Sequence, residues 1–509
     1  MSCCPVRCRI TSEEECKYYE DAEACRKVRN TQYLQNELPK IIRLYTGYSL
    51  RKSPKNEQKK NITNKRNLQD IDFKEIRIYL SYIQMTSVIY DDSLLNYIID
   101  CLNKTNKYIQ KLIKVIHLDY HIKFSFSQQK NYNVTTKLGN FYDTSLEAGV
   151  EYDLVIFPII VNTNSMSCKI ISRDKNTYRP IISILYIPNS LISKTGKNIE
   201  LYFRSLLLHE YTHILGFLND SFQYFPGGYN RTVEKGVLRD RERYFIKTKR
   251  VVNLLKQYYN CYDNDIIGLE LEDQDDNGLP SSHWEARILL GEYMNIEQYR
   301  PEVVISDFTL ALLEDSDWYR VNNYTGGLMR FGKNKGCDFL KKECSDHQGK
   351  TPFKNEFFDF GEDDHSSSCS SGRISRTYSD YNDYQDGIPI STYSRIGIIN
   401  TENSGGKTKN ADYCFGFFQN SNEETDDIFY VGNCNYGNGS YGSQITYNNF
   451  GNLTNSKNEK DLKEKYSNNS FCILSEAYPS NLASKYQSII HPMCYEMFCS
   501  NRSLTVKIG

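Results

Sequence analysis

His209 and His213 bracket Glu210-Tyr211-Thr212, with the apolar run Leu206-Leu207-Leu208 before them and Gly216 after. Residues four apart on a helix project from one face, so these two imidazoles can grip a single Zn²⁺. Glu210 stands beside them, where a carboxylate can take the proton of a metal-bound water. The bland alternative is a buried helix carrying two hydrogen-bonded histidines. It loses ground because only 8 histidines occur in 509 residues, and because the apolar run supplies the helical setting that the metal chemistry requires.

Two imidazoles leave a tetrahedral ion short of one protein ligand, besides an open position for water or substrate. Three residues past Gly216 stands Asn219, a neutral amide and a poor zinc donor; Asp220 is a better donor, one residue out of phase. Farther on are the carboxylates Glu234, Glu242, Glu270 and Glu285, and one nearby imidazole, His283, in Ser281-Ser282-His283-Trp284-Glu285. His283 is the favoured third ligand. Imidazole suits zinc, and a ligand at the end of the acidic, glycine-bearing loop 270–278 can reach back to the helix. The competing view of His283 is a surface histidine beside a tryptophan.

Several separated stretches, in order, resemble leishmanolysin, a metzincin family of surface metallopeptidases known from trypanosomatids and expanded in ciliates. His209, Glu210, His213 and Gly216-Phe217 match its helix, and Ser282-His283-Trp284-Glu285 matches its remote third-ligand segment. Met294, in Gly291-Glu292-Tyr293-Met294, matches the methionine of the turn beneath the metal. Residues 308–319, Gly336-Cys337-Asp338-Phe339 and the Cys494 to Cys499 region also agree, so the likeness covers about residues 65 to 509 and has a ciliate-like character.

The resemblance implies an α+β fold: a metzincin-type zincin catalytic domain with a long insertion, followed by a cysteine-rich, mostly β and loop C-terminal domain. It implies one Zn²⁺ per chain on His209, His213 and His283, with Met294 as an apolar floor. A thioether is a weak donor, so core packing and the family role of Met294 nearly coincide. Neutral ligands leave the ion its full charge, which lowers the pKa of bound water toward about 7. Glu210 is then the general base, passing a proton from the attacking water to the leaving amine. The expected activity is zinc endopeptidase action on protein or peptide substrates. The competing reading is a catalytically inactive relative used for adhesion at the cell surface.

Composition bounds the setting. A chain of 509 residues exceeds a single core and divides into two or three domains. A net charge of −1 offers no field for nucleic acid. No apolar stretch is long enough to span a bilayer, which leaves peripheral or anchored association open. The 16 cysteines include Cys3, Cys4, Cys8, Cys16 and Cys25 at one end and a widely spaced set from Cys337 to Cys499 at the other. None forms the paired spacing of a zinc finger, so disulfides and an oxidising compartment are expected. Asn-X-Ser/Thr triplets, Asn133 and Asn230 among them, suit a secreted glycoprotein, although an Asn-rich chain makes many by chance. Met1-Ser2-Cys3-Cys4 lacks the apolar core of a signal peptide, and residues 506–509 lack the hydrophobic tail of a lipid-anchor signal. The expectation is an extracellular or cell-surface protein whose gene starts upstream of Met1.

Four regions are expected. Residues 1–66 hold the N-terminal cysteines and a basic linker, 51–66. The resemblance implies a pro-segment in which one of these cysteines, not singled out by spacing, caps the zinc as a thiolate, with disulfide pairing among them as the alternative. Residues 67–217 form the N-terminal catalytic subdomain, with extended chain over 73–80, a helix over 93–117 and strands over 153–160 and 181–187. Residues 218–320 hold the insertion, the third ligand and the methionine turn. Residues 321–509 form the cysteine-stapled C-terminal domain, with exposed loops over 366–379 and 400–410.

Overall fold

The computed structural model describes residues 42–43, 73–136, 141–192, 197–239, 241–272, 279–296, 303–322, 329–346, 348–359, 367–373 and 375–379, with shorter stretches between 381 and 507. The five N-terminal cysteines and the 51–66 linker lie outside the described residues.

A four-stranded sheet supports the site. Strands β1 (Ile78–Leu80), β2 (Leu154–Val161), β3 (Ser167–Arg173) and β4 (Pro180–Pro188) lie in the order β1-β2-β4-β3. The first three in that order are mutually parallel, and β3 runs antiparallel to β4 at the edge. β2 and β4 are nearly continuous apolar runs because both of their faces are covered. Val155, Phe157, Ile159, Ile182 and Ile184 pack with Ile122, Phe124 and Leu146 on one face. Leu154, Ile156, Leu185 and Ile187 join the main core on the other, with helices α1 (Asp92–Leu112) and α2 (Lys197–Leu215).

α1 starts where the Asp91 side chain accepts the Ser93 and Leu94 amide protons, and it buries Ile98, Cys101, Leu102, Tyr108, Ile109 and Leu112. It ends five residues short of the expected boundary at 117. Ile113-Lys114-Val115 leaves the helix as a strand, pairing with Lys74–Glu75 and with Arg320–Val321. β-branched residues that gain ladder partners on both sides are better placed extended than helical. The extended chain expected over 73–80 is two short strands, Lys74–Glu75 and Ile78–Leu80, in different sheets.

Beyond α2, the hairpin β5 (Val233–Leu238) and β6 (Arg241–Ile246) is joined by β7 (Leu269–Glu270) on the β6 side, with α3 (Lys249–Tyr259) between them in sequence. A bridge between Leu271 and Trp284 carries this sheet to the segment holding His283, ahead of α4 (Ala286–Leu289). The helix α5 (Asp307–Asp315) has every residue but its first buried. Residues 321–509 contribute α6 (Cys337–Lys341) and two three-stranded sheets, β8 (Ser367–Cys369), β9 (Arg376–Ser379) and β10 (Phe417–Phe418), and β11 (Ser470–Ser475), β12 (His491–Ser500) and β13 (Ser503–Lys507). They also contribute two two-stranded pairs, Tyr381–Asp383 with Ser404–Gly406 and Ile445–Tyr447 with Leu453–Asn455.

Four disulfides among the described residues hold this region: Cys261–Cys337, Cys344–Cys414, Cys369–Cys472 and Cys434–Cys494. The first ties α6 to Cys261, two residues past the end of α3. Two of the expected exposed loops differ. Residues 367–369 and 376–379 pair as strands, and Ser368, Ser370, Ser375 and Thr377 are buried among them. Within 400–410, Ser404–Gly406 is a strand and Gly405 and Gly406 are buried. Serine-rich chain can be buried where a β ladder takes its backbone groups and a disulfide anchors it. Among the described residues no helix is long and apolar enough to cross a membrane.

Candidate metal centre

α2 carries His209 and His213 on one face. The helix closes with Gly216 N–H on the His213 carbonyl at 2.9 Å and Phe217 N–H on the Thr212 carbonyl at 3.2 Å, the paired bonds of a Schellman cap. Gly216 sits at φ +125°, and a Cβ there would meet the Trp318 ring at 2.7 Å, so glycine is required on both counts. The cap also aims the Phe217 carbonyl back at the helix, where it accepts the His213 Nδ1 proton at 2.7 Å.

His283 arrives from the far side of the insertion. The Nε2 atoms of His209 and His213 are 3.0 Å apart, and each lies 3.2 Å from Nε2 of His283. These three residues form the cluster able to hold a metal ion among the described residues. Their tautomers follow from their other partners. His209 Nδ1 faces the Tyr293 carbonyl at 2.7 Å and His213 Nδ1 the Phe217 carbonyl at 2.7 Å, and a carbonyl can only accept. Each Nδ1 therefore carries the proton, and two bare Nε2 lone pairs point at one spot. His283 Nδ1 has Ser281 Oγ at 3.2 Å as its partner. Crowded lone pairs repel one another unless a cation lies between them. Nitrogens bonded to a tetrahedral zinc at about 2.0–2.1 Å would be separated by about 3.3 Å, so the donor set fits that ion.

Burial and mutual proximity keep the rings neutral, which is the ligating form. Burial lowers His209 to about 4, burial and the neighbouring His209 lower His213 to about 3, and the same causes hold His283 well below its ordinary value. Glu210 is 6% exposed, and burial pushes its carboxyl up to about 7 against a smaller opposing pull from the Cys168 thiol on β3. A carboxyl poised there is suited to accept and return a proton near neutral pH.

The methionine turn is built around Glu292. Its Oε1 accepts from Ser306 Oγ at 2.8 Å and Thr309 Oγ1 at 2.7 Å, while Thr309 Oγ1 in turn accepts the Trp284 indole proton at 2.8 Å. The Met294 carbonyl accepts the Trp284 amide proton at 3.0 Å, and Met294 itself is fully buried. Thr212 Oγ1, 2.9 Å from the Tyr293 hydroxyl, links this turn to α2. The segment bearing His283 and the turn bearing Met294 are thus one hydrogen-bonded unit.

The other candidate ligands are occupied elsewhere. Asp220 pairs with Arg173 at 3.2 Å, and Asn219 Oδ1 accepts from the Tyr229 hydroxyl at 3.3 Å. Glu234 pairs with Lys247, Glu242 with Lys235 at 3.0 Å and Glu270 with Arg239 at 2.6 Å. Glu285 caps α4, accepting the Arg287 amide proton at 2.8 Å. The sequence reading did not anticipate the carbonyls of Tyr293 and Phe217, nor Cys168, which lies beside Glu210. Backbone carbonyls carry no residue signature, and a lone cysteine in a polar strand carries little.

Comparison with known proteins agrees with this geometry. The family model described as Leishmanolysin matches residues 127–509. A leishmanolysin-like peptidase of Drosophila melanogaster is 41% identical over 99 residues, 19% of this chain and 14% of that protein. A leishmanolysin homolog of Crithidia fasciculata is 25% identical over 252 residues, 49% of this chain and 35% of that protein. A ciliated left-right organizer metallopeptidase of Homo sapiens is 29% identical over 182 residues, 34% and 22% of the two chains. The chain matches well under half the length of each of these relatives.

Proposed function

The chain belongs to the leishmanolysin family, and on that footing we propose that it is a zinc-dependent endopeptidase acting on proteins or peptides. The observation that carries the reading is the meeting of three imidazole Nε2 atoms within 3.0–3.2 Å, two of them fixed as bare acceptors by carbonyls behind their rings.

His209, His213 and His283 would hold the zinc, and Met294 packs in the turn below. When bound, zinc supplies positive charge that acidifies a water and polarises the substrate carbonyl. Glu210 takes the proton of the attacking water on its carboxylate and returns it to the leaving amine. The carbonyls of Tyr293 and Phe217 hold two of the imidazoles in the tautomer and orientation the ion needs. Among the described residues β3 pairs only with β4, so its outer edge presents backbone donors and acceptors to an extended peptide. Cys168 places that edge beside Glu210, which supports a substrate bound as an added strand.

Four disulfides support an oxidising setting, extracellular or at the cell surface. The test is cleavage of an unfolded protein substrate before and after a chelator. Loss of cleavage and its return with stoichiometric zinc are expected. Tight zinc binding without hydrolysis would favour the inactive, adhesive alternative.

A further inference from the structure

Behind the segment that carries His283 lies a buried cluster of charges, in which Arg239, Arg243, Glu270 and Asp412 form a ring of direct ion pairs. Arg239 reaches Glu270 at 2.6 Å and Asp412 at 3.6 Å; Arg243 reaches Glu270 at 3.3 Å and Asp412 at 3.1 Å. All four side chains are about 2% exposed. Two guanidiniums thus face two carboxylates in direct contact, and buried Glu272, Glu285 and Arg287 lie close enough to interact with them. We infer that Asp412, nearly 130 residues beyond His283 in the chain, is a positioning residue for the metal centre, acting through this ring on the backbone that holds His283.

The path is short and made of direct contacts. Glu270 ends β7, and its carbonyl accepts the Glu285 amide proton at 3.2 Å. Two residues on, Glu272 N–H donates to the His283 carbonyl at 3.0 Å, and Leu271 bridges to Trp284 between them. The strand that bears Glu270 is therefore the immediate neighbour of residues 283–285. Asp412 is the member of the ring that comes from the C-terminal region. It sits at φ +54° after the turn Lys409–Ala411, two residues before the Cys344–Cys414 disulfide. Arg239 is held on its other side by the Leu340 carbonyl of α6, at 2.9 Å.

Removing the Asp412 charge takes away one of the two carboxylates that Arg239 and Arg243 contact directly. An uncompensated buried charge is strongly unfavourable, and the structure relieves it by drawing water in or by moving Glu270. Either response shifts the strand that sets His283 against the two helix imidazoles. Outer partners of metal ligands typically contribute about 10–100-fold to metal affinity, and a similar loss is expected here.

This inference rests on the zinc reading above, and the test separates the two. Zinc affinity of the full chain is measured by competition with a chromophoric chelator for the wild type, Asp412→Asn, Arg243→Gln, the double variant and His283→Ala, alongside near-ultraviolet circular dichroism of the zinc-saturated proteins. Asp412→Asn should weaken zinc by about 10–100-fold, toward His283→Ala, while its saturated spectrum matches wild type. The double variant, with its charges rebalanced, should bind more tightly than either single one. If Asp412→Asn gives no folded protein, the double variant against Arg243→Gln carries the same comparison. Unchanged zinc affinity in Asp412→Asn, with or without a lower melting temperature, would overturn the positioning role. A double variant no better than Arg243→Gln would overturn it too. A wild type that binds no zinc would instead refute the metal reading itself.

Discussion

Gly216→Ala tests how the end of α2 builds the metal centre. At φ +125° a residue with a Cβ is strained by about 1–3 kcal/mol. The new methyl would also stand 2.7 Å from the Trp318 ring, which cannot swing away freely because its indole N–H is bonded to the Thr177 carbonyl at 2.7 Å. Over-packing of this kind costs about 1–3 kcal/mol, so the two effects together give about 2–6 kcal/mol, a large part of the stability of an ordinary domain. Relief by unwinding the cap would pull the Phe217 carbonyl off His213 Nδ1 and free that ring to turn. Urea unfolding should show a lower midpoint, and chelator competition should show zinc affinity lower by about 10–100-fold, since the lost bond orients a metal ligand. A variant with wild-type midpoint and wild-type zinc affinity would refute the account of both the cap and the carbonyl.

His283→Ala should cost far more zinc affinity than Asp220→Ala, because Asp220 is engaged by Arg173; the reverse order in a zinc titration would move the third ligand into the helix-proximal loop. Protons released on zinc binding give a second test. At pH 6, three ordinary imidazoles with pKa about 6.5 would be about three-quarters protonated and would release about 2.3 protons. With His209 at about 4, His213 at about 3 and His283 well below 6.5, the ligands release almost none. The most that remains is about one proton from Glu210, held near 7 until the cation arrives. Calorimetry in buffers of different ionisation enthalpy should therefore find one proton or fewer; two or more would show that the rings are charged in the metal-free protein. The linkage has a stability counterpart. Because their folded pKa values are depressed, these imidazoles contribute a loss of stability as pH falls from about 6.5 toward 4. Buried Glu210 and Glu292 oppose it, since their raised values of about 7 make the folded chain bind more carboxyl protons over the same window.

Much of the site was legible because metal chemistry restricts residue type. His209, Glu210 and His213 announce themselves by spacing, and His283 by being an imidazole near the end of the insertion. The fold was legible where burial is one-sided or complete, as in β2, β4 and α1. β3 was missed because Ser167-Cys168-Lys169-Ile170 alternates over only four residues before Ile171 and the register shift at Ile170–Ser172 break the pattern. The buried serines of 368–375 were missed because ladder bonds and the Cys369–Cys472 disulfide, not apolar side chains, keep them inside. The ring joining Arg239, Arg243, Glu270 and Asp412 left no trace either. Its members are far apart in sequence, and isolated charges usually mark a solvated surface.

The most direct measurement is zinc content and turnover of Glu210→Gln beside the wild type. The substitution keeps the size of the side chain and all three imidazoles while removing the proton acceptor. One zinc per chain in both proteins, with peptide hydrolysis lost only in the variant, is the predicted result. A Glu210→Gln protein that retains its zinc and still hydrolyses substrate at the wild-type rate would contradict the account.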